Sequence, residues 1–160
     1  MKKVKNSNKT GIILGGVIVA LLAAVVFIAS LLLESYRIRQ FKVDVFVLCN
    51  ESDICVADGP DGHVKVHDDN LPAIYSILSK AHGKVDPSDE DPVRSLNLEF
   101  ECHEETWNMR IDELNTDVVR VTLSGPENKS MCFSNRGAYN EYAQAVSLKG
   151  YNKPNKALGK

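Results

Sequence analysis

Four cysteines, four histidines and several close-set carboxylates are the residues of this 160-residue chain that could do chemistry. Cys49, Cys55, Cys102 and Cys132 come first. In an oxidising compartment four cysteines allow three disulfide pairings. No CxxC spacing offers a zinc site, and no basic setting lowers a thiol pKa toward nucleophilic use. Cys49 and Cys55 flank a turn, yet the apolar register that keeps Ile54 and Val56 inward turns Cys55 to the opposite face from Cys49. A bridge needs Cβ atoms within about 4.5 Å, so that pair is disfavoured. The alternation groups Cys49 with Cys102 inside and Cys55 with Cys132 outside, and leaves open both disulfides and buried thiols serving as small hydrophobes.

The other candidates are weaker. His63 and His67 share a strand face but stand about 13 Å apart, too far for one metal. His67-Asp68-Asp69-Asn70 reads as a strand end feeding a helix cap. His103-Glu104-Glu105 falls on a hairpin tip, where charge is solvated. Glu99 and Glu101 lie outward beside Arg110 and Arg120, the pattern of cross-strand charge pairs rather than an acid/base dyad. Asp58-Gly59-Pro60-Asp61-Gly62 lacks the ligand spacing of an EF-hand. Asn50-Glu51-Ser52 and Asn128-Lys129-Ser130 match the three-residue glycosylation pattern. Phe100, Trp107, Tyr139 and Tyr142 lie in phase with core stripes, which assigns them to packing. No catalytic, cofactor-binding or metal-binding residue is assigned on these grounds.

The elements that must carry these residues divide sharply. Residues 11–33 hold no charge and make a helix of about 34 Å, against a bilayer core of about 30 Å. The run is longer than a signal-peptide core and ends in no convincing cleavage site, so it reads as a membrane anchor. Lys2, Lys3, Lys5 and Lys9 precede it, and Arg37, Arg39 and Lys42 follow beside Glu34. That modest asymmetry places the basic head, residues 1–10, in the cytoplasm and the remainder outside. Gly11, Gly15 and Gly16 supply small residues four apart, a spacing compatible with weak self-association.

Residues 36–150 have the length and apolar content of one domain, with 151–160 a flexible basic tail. From residue 36 onward, 15 Lys and Arg oppose 20 Asp and Glu. That acidity excludes nucleic acid as a partner, because phosphate binding needs clustered basic side chains.

Alternation at Phe41, Val43, Val45, Val47 and Cys49 predicts a strand, with further strands at Ile54–Val56 and Val64–Val66. Leu71, Ile74, Leu78 and Ala81 predict a helix capped by Asp69 or Asn70 and stopped at Gly83. Residues 86–92 form an acidic, proline-bounded loop. A four-strand meander follows. Its first hairpin turns through residues 103–106 and sets Cys102 opposite Trp107, Phe100 opposite Met109 and Leu98 opposite Ile111. Tyr139, Tyr142, Ala143 and Val146 predict a last helix ending near Gly150.

The expected fold is α+β: a transmembrane helix, then a mainly antiparallel sheet in the order β-β-β-α-β-β-β-β-α with two helices on one face. The expected role is a non-catalytic interaction module, held to lipid through residues 11–33 and binding a protein of the cell envelope. The other class is an enzyme or small-ligand binder whose polar groups converge only in three dimensions, around His63, His67, Asp68 or His103. A concave pocket holding two or more of those side chains favours the second class; scattered histidines over a filled core oppose it.

Overall fold

An unbroken helix, α1 (Ser7–Glu51), opens the computed structural model, which describes residues 7–59, 62–84 and 89–146. The basic head through residue 6, the Pro60-Asp61 turn, residues 86–88 of the proline-bounded loop, Gly150 and the tail lie outside the described residues. The chain divides into two compact units, residues 1–36 and 37–160. In the first unit every large apolar side chain from Ile13 to Leu33 is about half exposed or more. A helix satisfies all of its own backbone hydrogen bonds, which lipid demands of any spanning segment. This is the one described helix long and apolar enough to cross a membrane.

The second unit is an α+β domain built on a seven-stranded antiparallel sheet. Its strands are β1 (Ile54–Gly59), β2 (Gly62–Lys65), β3 (His82–Lys84), β4 (Arg94–Cys102), β5 (Glu105–Asn115), β6 (Val118–Ser124) and β7 (Lys129–Ser134). They lie in the order β2-β1-β4-β5-β6-β7-β3. Two further helices, α2 (Leu71–Lys80) and α3 (Ala138–Ala145), complete it, and a 3-10 turn at Asp68–Asn70 leads into α2.

One face of the sheet carries the core. Leu98, Phe100, Met109, Ile111, Val121, Leu123 and Phe133 are closed from solvent there, with Phe41 and Val45 of α1, Ile74 and Leu78 of α2, and Tyr142 of α3 in the same cluster. Each such side chain contributes about 1.5–3 kcal/mol by leaving water. On the opposite face Asn97, Glu99, Glu101, Asn108 and Arg110 are exposed, as the strict alternation of β4 requires. Lys42 joins α1 to the end of α2 by donating to the carbonyls of Ser79 and Ala81 at 3.1 and 2.8 Å. A cation there satisfies acceptors that the helix end leaves open.

The α+β class holds, but four local expectations are corrected. The strand expected over 41–49 is the last part of α1. Phe41, Val45 and Cys49 lie four apart, which puts them on one face of a strand and of a helix alike. Buried Leu48 and half-exposed Val43 obey only the helix. A helix already formed at residue 40 extends without a new nucleation cost, and that tips the balance. The β4–β5 hairpin turns in two residues rather than four, so Cys102 faces Glu105, Phe100 faces Trp107 and Leu98 faces Met109. A slip of two residues keeps every side chain on its face, which is why the apolar pattern alone did not discriminate. Gly83 is not a helix stop: α2 ends at Lys80, and Gly83 pairs with Phe133 in β3, where an added Cβ would meet the Phe133 ring at 2.8 Å. Cys55 points inward, paired with Phe100, because β1 docks on β4 with Cys55 and Ala57 facing the helices.

Candidate functional site

The β4–β5 turn shapes the most chemically varied corner of the domain. His103 and Glu104 hold φ of 51° and 65°, the left-handed pair that a two-residue hairpin needs to match strand twist. Asn-Gly ordinarily occupies such a turn, since a side chain in that region costs roughly 1–2 kcal/mol. Replacing His103-Glu104 by Asn-Gly is therefore expected to raise stability by about 1–2 kcal/mol, read as a higher denaturation midpoint. An unchanged or lower midpoint would show that the two native side chains stabilise the turn by more than their backbone strain.

The turn aims His103 at two groups. Its Nδ1 lies 3.5 Å from Cys102 Sγ, and its Nε2 lies 3.3 Å from Glu51 Oε2 at the end of α1. Between α1 and the hairpin is a cavity of about 160 Å³. Val47 and Leu48 of α1 line it, with Cys102, His103 and Trp107 of the hairpin. Asp44 and Glu105 add carboxylates. Asp44 accepts from Lys129 Nζ at 2.8 Å, and Lys129 also pairs with Glu127 at 3.1 Å. Trp107 is half-buried, and Gly125 lies so close to the indole that an added Cβ would come within 2.5 Å of it.

Cys102 is nearly closed from solvent. Burial first, then the charges of Glu51, Asp53 and Glu105, push its thiol above the ordinary range. Burial likewise pushes Cys49 and Cys55 up to about 12. No disulfide joins any of the four cysteines, all of which are buried. A protonated, enclosed thiol is a poor nucleophile. Maleimide is accordingly expected to modify Cys49 and Cys55 only after denaturation, counted by intact mass; rapid labelling of either in the native chain would contradict the packing.

The remaining candidates are dispersed. His63 lies 3.7 Å from Asp58 across the β1–β2 turn. His67 accepts from the Asp69 amide at 3.3 Å and caps the 3-10 turn, while Asn70 holds the N-cap position of α2, as expected, without a side-chain hydrogen bond to the helix. Asp68 belongs to the 3-10 turn and His82 is exposed on β3. Of His63, His67, Asp68 and His103, only His103 lines a described cavity. A second groove of about 380 Å³ runs between α2 and α3 past Pro72, Ile77, Glu141 and Gln144, and contains none of them. Among the described residues no group of three or more histidines, cysteines or carboxylates could hold a metal ion.

The sequence reading missed Asp112. It lies on the sheet face away from the core, its side chain only 2% exposed, and accepts from Ser95 at 2.5 Å, Arg110 at 2.7 Å and Arg120 at 2.9 Å. The two arginines assigned to Glu99 and Glu101 thus pair with Asp112. Arg110 sits two residues away on the same strand face, and Arg120 is its cross-strand partner, a pattern legible in retrospect. Burial by itself raises the Asp112 carboxyl, but the three hydrogen bonds outweigh it and hold the group below the usual carboxylate range. Its neighbour Glu113 faces the other way and accepts from Arg94 at 2.6 Å, whose guanidinium lies 4.5 Å above the Tyr139 ring. Both clusters are fully engaged ion pairs, which ties them to architecture. Comparison with known protein families, curated proteins and solved structures finds no match to this chain.

Proposed function

We propose that this chain is a single-pass membrane protein whose second unit is a non-catalytic binding module displayed on the extracytoplasmic side. Residues 11–33 anchor it in lipid, and the lysines of the head set the orientation. Gly15 and Gly16 have open space around them, which leaves room for weak pairing of two anchors. The observation that carries the binding reading is the Trp107 cavity, where polar and aromatic side chains of α1 and the hairpin converge around an unfilled space.

Two experiments test it. A cysteine introduced at Val93, which is 69% exposed, is expected to react with an impermeant maleimide on intact cells; labelling only after lysis would reverse the orientation. Cross-linking of the full chain in native membranes is expected to trap a partner that is lost in both Trp107→Ala and Val47→Arg. A partner retained in both variants, or none in the native chain, would count against the module.

The approach of Cys102, His103 and Glu51 favours a second reading, a thiol enzyme with the histidine as base. Burial, and after it the nearby carboxylates, hold the thiol protonated, which weighs against it.

A further inference from the structure

We propose that the cavity beside Trp107 receives a single alkylammonium or guanidinium group, the end of a lysine or arginine side chain or of a free amine. The ligand class rests on the binding reading above and adds to it. Size comes first. A space of about 160 Å³ falls well short of the 300 Å³ or more of a drug-sized site. A short chain with one polar end fits such a space.

The lining then selects the charge. Trp107 contributes an indole, the aromatic group that best attracts a cation through its ring quadrupole. Gly125 packed against the indole holds the ring in place. Glu105 of the hairpin and Asp44 of α1 line the space, and Glu51 pairs with the lining His103 at 3.3 Å. Lys129 offsets part of this charge through Asp44 and Glu127, and the balance stays negative. Burial is the main cause of the upward shift of the Cys102 thiol, which also lines the cavity, and the charges of Glu51, Asp53 and Glu105 add to it in the direction that disfavours an anion there. Val47 and Leu48 offer apolar surface to the methylene stem that lysine and arginine carry behind the charge.

The chain has one tryptophan, so in the folded protein every indole signal arises beside this cavity. The full chain in non-ionic detergent is titrated with n-butylammonium and n-butylguanidinium, following Trp107 emission and its indole N–H resonance. n-Butanol and butyrate serve as controls for shape without charge and for the opposite charge. The expected result is a saturable response in the millimolar range to both cations and to neither control. Glu105→Gln is expected to weaken it roughly two- to fivefold. Glu105→Lys, which places an ammonium on the lining, is expected to abolish it with the denaturation midpoint unchanged. Tighter binding of a lysine-containing peptide than of butylammonium identifies a protein side chain as the source, and the reverse order identifies a free amine.

A response to butanol equal to that of butylammonium, competition by butyrate, or no response in the native chain would overturn the assignment. If the cations are silent while cross-linking still depends on Trp107 and Val47, only the ligand class fails. If both are negative, the binding reading fails with it.

Discussion

Replacing Asp112 with alanine is expected to lower the stability of the second unit by about 3 kcal/mol, the low end for breaking a buried ion pair. The reason is what it leaves behind. Arg120 is only 18% exposed and would lose the carboxylate that meets its guanidinium, whereas half-exposed Arg110 can turn to water. The full chain in detergent, denatured with urea and followed by Trp107 emission, gives the difference directly.

The same carboxylate sets an acid limb. Its folded pKa lies below the unfolded value of about 3.9, so at low pH the unfolded state binds more protons and stability rises with pH. The contribution is complete above about pH 4 and is lost as pH falls through the folded pKa. In Asp112→Asn that part of the pH dependence is expected to vanish. A variant as stable as the native chain, or one with an unchanged acid limb, would show that Arg110 and Arg120 draw no net stability from Asp112.

Phe41→Ala is expected to cost about 3–5 kcal/mol, the usual range for emptying a fully buried phenylalanine site. Phe41 touches the Phe133 ring at a centroid distance of 5.7 Å, so the loss is felt across the sheet as well as along α1. The informative comparison is with its neighbours. Val45→Asp buries a charge without a partner and is expected to prevent folding, because Val45 is closed from solvent. Val43→Asp is expected to change stability by no more than about 0.5 kcal/mol, because Val43 is 44% exposed on α1. In a strand Val43 and Val45 would share one face and both changes would be severe. Equal damage from the two would refute the helical assignment of 41–49.

Much of the architecture was legible residue by residue. The uncharged run from Gly11 to Leu33 was legible as one long apolar helix, the backbone that pairs its own polar groups and is long enough to cross a membrane. Alternation along β4 and β6 assigned every inward side chain correctly, because one face of the sheet is buried and the other is wet. What failed had two equal local solutions. Phe41, Val45 and Cys49 suit either period, and a hairpin of two residues or of four leaves the same face inward.

Composition and order alone thus determined the apolar segment, the acidic α+β body and the two amphipathic helices, all of which follow from short-range periodicity. Only tertiary structure decided how Asp112 gathers Ser95, Arg110 and Arg120, where Cys55 points, and how Trp107, Asp44 and Glu105 come to line one cavity. Those arrangements join residues tens of positions apart, and their energies arise from burial and pairing that exist only once α1 has docked on the sheet and excluded water.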